Sequence, residues 1–408
     1  MVNLKGIFEK LINTRTTLFQ DKKVLLDETY IPENLLHRET EAKKLASILA
    51  VALRGETPSN ILIYGKSGAE KTAVAKVIAD ELVKTGKKMG REISVVYLDC
   101  QIFNTEYRVF AKLANQFGGR VPFTGWPMEK VYNTFKELAD KKKQYILVIL
   151  DQIDKVFFDR DHRKEIKHLL YLLTRINSEF KNTKLSLIGI SPDLRFVKYL
   201  NLKVQSSLGR EEIEFLPYNE EQLKDILKQR AESAFKEGVS DESTISLCAK
   251  LTAQDGDARK AIDLLKIAGE IAEIECSDKI TDSHIKKAEE KIRRNKINGT
   301  ILPMLIQKKL VLYSALLLEE NRITTGELYQ KYKELARALS LDILTIRRIS
   351  DFIFELEMSD ILSCKVISLG RYGRTKEIKL EMNPLEIKRV LEEDSELREV
   401  TNKLTREF

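Results

Sequence analysis

The chain has 408 residues, too many for one compact core, so two or three domains are expected. Its 43% apolar content is that of a soluble folded protein, no apolar run reaches the ~18 residues that span a bilayer, and "MVNLKGIFEKLINTRTTLF" lacks a signal peptide's apolar core, so a cytoplasmic protein is expected. Its 69 basic and 62 acidic residues leave a net charge of +7, which suits a polyanionic partner without establishing one, and Cys100, Cys248, Cys276 and Cys364 form no C-x-x-C pair, which excludes the usual zinc and disulfide patterns.

The first strong signal is "ILIYGKSGAEKTAVAKVIADEL", Ile61 to Leu82. Ile61 to Tyr64 is short and apolar, like a buried strand; Val74, Val77, Ile78, Ala79 and Leu82 then recur with helical period. A strand, a glycine turn and a helix N-terminus leave backbone N–H groups free for an anion. The phosphate-loop pattern G-x-x-x-x-G-K-[ST] runs through Gly65, Lys66, Ser67, Gly68, Ala69, Glu70, Lys71 and Thr72, with Lys71 for the β- and γ-phosphates and Thr72 for Mg²⁺. Glu70 stands where the last glycine belongs. A carboxylate beside phosphate is unfavourable, so Glu70 is expected to turn to solvent or to pair with Lys66.

Further along, "EISVVYLDC" (Glu92 to Cys100), "YILVILDQID" (Tyr145 to Asp154) and "KLSLIGIS" (Lys184 to Ser191) read as strands. Helical patterns separate them at Thr105 to Phe117, Met128 to Ala139 and Glu165 to Phe180. Near-continuous Val/Ile/Leu strands alternating with helices predict a parallel sheet covered on both faces. From "PYNEEQLKDILKQRAESAF", starting at Pro217, helices dominate to about Asn298.

The remainder begins with helices, then gives "TIRRISDFIFELEM", a β-run, the basic turn "LGRYGRTK" and a second β-run, the outline of a winged helix. Ile346, Ile349, Phe352, Ile353 and Leu356 share a core face, while Thr345, Arg347 and Arg348 sit at the helix start, where a recognition helix meets the major groove. The turn carries Arg371, Tyr372, Arg374 and Lys376, with Gly370 and Gly373 permitting close backbone approach, as suits phosphate or minor-groove contact. A solvated basic face is the competing reading. His37, His162, His168 and His284 show no metal-ligand spacing.

These pieces together resemble the archaeal initiators of DNA replication, the AAA+ origin-recognition family related to the eukaryotic origin-recognition and cell-division-cycle proteins. The likeness covers nearly the whole chain through "YIPENLLHRETE", "GKSGAEKT", "ILDQIDK", "SSLGREEIEFLPYNEEQLKDIL", "GDARKAIDLLKIAGEIAE" and "SLGRYGRTKEI". It implies an α/β AAA+ nucleotide-binding domain over residues 1–216, an all-helical lid over 217–298 and a C-terminal winged helix over 299–408. It also implies ADP or ATP with Mg²⁺, Tyr30 to Glu41 beside the adenine, Asp151 as acidic metal partner, Tyr218 and Arg230 closing over the nucleotide, and Arg259 sensing the γ-phosphate. Asp151 and Asp154 simply ending a strand is the bland alternative.

Four positions depart from the family pattern, all of them bearing on hydrolysis: Glu70, Gln152 in place of the glutamate that would activate water, Pro192 in place of a water-positioning asparagine, and Lys203 in place of an arginine finger. Bound nucleotide with weak turnover is the expectation.

The resemblance further implies a helical insertion that touches DNA, placed at "GGRVPFTGWPMEKVY" with Arg120, Phe123 and Trp126 as contacts, unless those aromatics only pack on their own domain. The expected partner is double-stranded origin DNA, with a second initiator paralogue bound alongside or the replicative helicase as further candidates. An active ATPase in helicase loading and a winged-helix repressor of origin firing are the alternatives.

Overall fold

The structure is a computed structural model that describes residues 17–26, 35–154, 163–192, 197, 200, 202–208, 211–318, 323–359, 361–368 and 374–394, giving the backbone alone for 163–167, 358 and 374. The chain divides into two compact units, Met1–Ile285 and Lys286–Phe408.

The first unit is built on a five-stranded sheet of β1 (Ile61–Tyr64), β2 (Ile93–Asp99), β3 (Tyr145–Asp151), β4 (Lys184–Ser191) and β5 (Glu211–Glu214), in spatial order β2-β3-β4-β1-β5. Every neighbouring pair is parallel. Before and between the strands lie α1 (Lys23–Leu26), α2 (Glu39–Leu49), α3 (Lys71–Lys88), α4 (Glu106–Gln116), α5 (Met128–Ala139), α6 (Arg163–Arg175) and α7 (Leu202–Leu208). Alternation along β3 sends Ile146, Val148 and Leu150 into one core, with Val109, Phe110 and Phe135 from α4 and α5. Tyr145, Leu147 and Ile149 enter the other, with Val74, Ala75 and Leu45 from α3 and α2. All seven β3 residues are buried, so a strand apolar on both faces is what this position requires.

Three sequence expectations change here. The strand read to Asp154 stops at Asp151, because Gln152 adopts φ +55 and leaves extended geometry. The fifth strand, "EEIE", escaped notice because this edge strand buries only Ile213. The expected insertion helix is an irregular segment between α4 and α5, with α5 starting at Met128.

The lid helices are α8 (Glu220–Ala234), α9 (Glu242–Thr252), α10 (Ala258–Ile274) and the start of α11 (Asp282–Ile301). Asn219 and Gln222 form a capping box on α8, as Asp241 and Thr244 do on α9, which fixes where each helix begins. Residues 17–26 pack on the lid: the Phe19 and Phe235 rings meet at 4.8 Å, tilted by 35°, and Lys22 pairs with Glu273 at 2.9 Å.

In the second unit, α12 (Ile306–Leu317), α13 (Thr325–Ala338) and α14 (Ile346–Met358) pack beside the antiparallel sheet β6 (Ile323–Thr324), β8 (Arg374–Leu380), β7 (Leu362–Ser368), followed by α15 (Pro384–Glu393). Ile349, Phe352, Ile353 and Leu356 are at most 2% exposed. Ile346, expected with them, is 48% exposed. Helical side chains lean toward the N-terminus, so this first residue hangs over the Thr345 cap instead of the core.

Candidate nucleotide cleft and nucleic-acid helix

The phosphate loop leaves β1 at Gly65 and enters α3 at Lys71. Ala69 is wholly buried and anchors the loop to the sheet. Gly68, at φ +70, faces the lid so closely that a Cβ there would lie 1.7 Å from Asp257 Oδ1, so any side chain would have to displace that carboxylate. Asp257 in turn caps α10, accepting from the N–H groups of Arg259 and Lys260. Loop and lid are therefore fitted to one another at the helix that carries Arg259.

A cleft of about 640 Å³ opens above the loop, within the range of small-ligand sites. Ser67, Gly68, Glu70, Lys71 and Thr72 line it from the loop, Asp151, Gln152 and Pro192 from the strand ends, and Arg230 and Arg259 from the lid. Most of the expected nucleotide residues thus converge on one cavity. Gly65, Lys66, Ala69 and Tyr218 are not among its lining residues.

Lys71 is buried and folds back on the loop, its Nζ donating to the carbonyls of Gly65 and Lys66 at 2.6 and 2.7 Å. Burial holds its pKa down to about 8, against the opposing pull of Asp151, and Arg259 pushes the same way as burial. Thr72 donates to Asp151 Oδ2 at 2.8 Å, and the backbone N–H of Gln152 donates to Oδ1 at 2.9 Å. Asp151 therefore has the acid-next-to-hydroxyl arrangement that suits a hard cation.

Tyr97 was missed by sequence reading. Its hydroxyl also donates to Asp151 Oδ2, at 2.6 Å, and burial with this bond drives its pKa far up. The signal lay in strand register: Asp99 pairs with Asp151 and Tyr97 with Ile149, so period 2 places Tyr97 and Asp99 on one face. Lys76 sits 4.1 Å from the Tyr97 ring centre.

Glu70 neither turns to solvent nor pairs with Lys66. It keeps the left-handed backbone expected of glycine, φ +61, and accepts a hydrogen bond from the Tyr218 hydroxyl at 2.7 Å. Tyr218, expected to close over the nucleotide, is 2% exposed behind the loop, where Arg38 Nε donates to the same hydroxyl at 2.9 Å. Arg230 is buried and lines the cleft; Arg259 is exposed and lines it too. Pro192 and Lys203 are exposed, Lys203 on the short helix α7. Tyr30 lies outside the described residues.

In the second unit, Thr345 caps α14 by accepting from Arg348 N, and Thr345, Arg347 and Arg348 are all exposed. The Arg348 guanidinium lies 4.6 Å from the Phe352 ring centre, which stiffens it over the core. Lys376 on β8 reaches Glu357 of α14 at 3.5 Å, so the wing strand abuts the helix and this lysine is partly committed to an ion pair. Arg371 and Tyr372 lie outside the described residues, as does the side chain of Arg374. In the segment before α5, Arg120 and Phe123 are exposed, whereas Trp126 packs against its own domain's core with Lys130 Nζ 3.9 Å from its ring centre.

Family models match three stretches: an AAA domain over residues 54–197, a Cdc6 AAA+ ATPase-type lid domain over 224–290, and the CDC6 C-terminal winged helix domain over 300–390. An ORC1-type DNA replication protein from Pyrococcus abyssi is 46% identical, covering 96% of this chain and 94% of its own. One from Methanosarcina mazei is 45% identical, covering 97% and 95%. Among solved structures, the Aeropyrum pernix ORC1 protein in complex with DNA is 40% identical with a TM-score of 0.81, covering 94% of this chain and 99% of that one. The ADP form of the Aeropyrum pernix ORC2 protein shares the fold at 23% identity and a TM-score of 0.60, covering 91% and 97%.

Proposed function

Since the chain belongs to the ORC1-type family of archaeal DNA replication proteins, we propose that it binds duplex DNA at replication origins through its winged-helix unit, and that its first unit holds a nucleotide and cleaves it slowly. The observation that carries the DNA reading is the start of α14, where Arg347 and Arg348 project into solvent from a Thr345-capped turn. The ORC1 relative solved with DNA supports it. Arg371, Tyr372, Arg374 and Lys376 on the wing, and Arg120, Phe123 and Trp126 in the first unit, are proposed as further contacts to the backbone and minor groove.

The residues of the cleft fit ADP or ATP. Lys71, Lys76, Arg230 and Arg259 supply positive groups, and Glu70, Asp99, Asp151 and Asp263 match them in number, so Mg²⁺ held by Asp151 and Thr72 would be needed to tip the balance toward a polyphosphate. Such a nucleotide supplies the phosphoryl group to be transferred; the chain supplies the positioning. Gln152 is an amide and a poor base, Pro192 offers no polar side chain to a water, and Lys203 lacks the planar fork of arginine. Loss of the arginine finger alone is worth about 10³ to 10⁵ in rate. This set argues against an active ATPase as the main role.

We further propose the domain limits 1–216, 217–298 and 299–408, a cytoplasmic, nucleoid-associated location, and side-by-side binding with a second initiator or the replicative helicase. No described helix is long and apolar enough to cross a membrane. Genomic footprinting of the purified protein tests the DNA reading, and nucleotide extracted from it and followed over hours tests the rest. Protection at scattered rather than discrete sites would overturn the first; ATP turnover at the pace of an ATPase with intact catalytic positions would overturn the second.

A further inference from the structure

We propose that Glu70 is a positioning residue: its carboxylate holds the lid's entrance, and with it Arg230 and Arg259, against the phosphate loop independently of what occupies the cleft. Its role in nucleotide retention rests on the reading above; its geometry does not.

A non-glycine residue at φ +61 is strained and persists where its surroundings over-determine it. What determines Glu70 is Tyr218. The phenol donates to the carboxylate at 2.7 Å and receives a bond from Arg38 Nε at 2.9 Å. Arg38 is 3% exposed, donates also to Leu216 O at 2.7 Å and Glu41 at 2.9 Å, and lies 3.9 Å from the centre of the Tyr218 ring. Burial and the charge of Glu70 push the phenol's pKa well up, so it remains a donor and the bond has one direction.

Tyr218 stands where the two arginine-bearing helices begin. One residue on, Asn219 caps α8, which carries Arg230. The N–H of Tyr218 donates to Gly256 O at 3.0 Å, immediately before Asp257, the cap of the helix that carries Arg259. Beside this, Ala258 N donates to Gly68 O at 3.3 Å. Tyr218 thus stands between the loop and both lid helices, its phenol bonded to Glu70 and its main chain to the start of the Arg259 helix, through an acceptor that the sequence rule's glycine would not possess.

The test uses the full chain and three variants. Tyr218→Phe removes the donor but keeps the ring beneath Arg38, Glu70→Gly removes the acceptor, and Glu70→Gln keeps an acceptor oxygen. Hydrogen–deuterium exchange is followed in nucleotide-free protein over 216–222 and 256–262, with release of a fluorescent ADP analogue as the second readout. Tyr218→Phe and Glu70→Gly are expected to speed exchange in those two segments about fivefold, the equivalent of one net hydrogen bond, while β3 and β4 stay unchanged. In exchange, Glu70→Gln should remain near the parent and the Tyr218→Phe/Glu70→Gly pair should move no further than either single change; ADP release should rise in Tyr218→Phe, which leaves the charge of the cleft unaltered. Exchange unaltered in both single variants, or raised uniformly across the unit as a purely structural loss would give, overturns the proposal. Should the parent protein bind no ADP analogue, the nucleotide reading fails, while the exchange data still decide the role of Glu70.

Discussion

The hydroxyl of Thr72, in the first turn of α3, and the carboxylate of Asp151, at the carboxyl end of β3, stand 2.8 Å apart, with the Tyr97 hydroxyl 2.6 Å from the same carboxylate oxygen. A cation held by Thr72 and Asp151 would leave Tyr97 as the donor that fixes the carboxylate's orientation. Outer donors of this kind are typically worth 10–100-fold in metal affinity. Tyr97→Phe should therefore weaken Mg²⁺-dependent ADP binding about tenfold and leave Mg²⁺-free binding unchanged. Titration calorimetry with and without Mg²⁺ checks this; equal losses in both conditions would assign Tyr97 to the cavity wall alone.

Lys71 gives a pH signature. Its pKa of about 8 means that the ammonium which phosphate requires is lost above that pH. Observed ADP affinity should fall by up to about tenfold per pH unit above 8, with proton uptake on binding near pH 8 to 8.5, seen as a buffer-dependent heat. The linkage to folding runs the other way. A lysine whose folded pKa lies below its unfolded value of 10.5 costs stability below pH 8, and that cost fades as pH rises from 8 to 10.5. Lys71→Met should abolish both effects.

In the second unit, Lys309 and Asp394 form an ion pair at 2.7 Å with both side chains at most 6% exposed. Asp394→Ala leaves a buried ammonium without its carboxylate, a loss of about 3–5 kcal/mol. The unfolding of the winged-helix unit should shift to lower temperature, measured by calorimetry on the full chain, while ADP binding by the first unit persists. The conservative Asp394→Glu, which adds a methylene to a buried pair, should recover only part of the loss.

How far the sequence went can be judged from particular residues. β1 and β4 were legible to the residue because strands buried on both faces are runs of apolar side chains bounded by polar ones. The core face of α14 was legible from period alone, except at Ile346, which is 48% exposed at the helix's first position. The edge strand β5 was hidden by its three glutamates. The loop motif singled out Thr72 and the family resemblance Asp151, and the fold brings the two within 2.8 Å. The partner of Glu70 was not legible, since Tyr218 is 148 residues from Glu70 and its own donor Arg38 is 180 residues from Tyr218, and no local pattern reports a contact over that distance.

The proposed DNA surface at the start of α14 separates anchoring from reading. Arg347 and Arg348 are adjacent but differently held: Arg348 is braced over Phe352, whereas among the described residues Arg347 has no such ring contact. A braced, pre-organised guanidinium suits bidentate contact with a guanine edge, and an unbraced one suits a phosphate. Arg347→Ala should then weaken binding to all sequences alike and lower the salt dependence of log K by about one unit. Arg348→Ala should cost about 1–3 kcal/mol on the preferred site only, flattening the preference at one base pair. Competition binding on a randomised duplex pool, at two salt concentrations, reads both. If the two variants lose affinity equally on every duplex, both arginines contact only the backbone, and the sequence preference of this helix resides in other side chains.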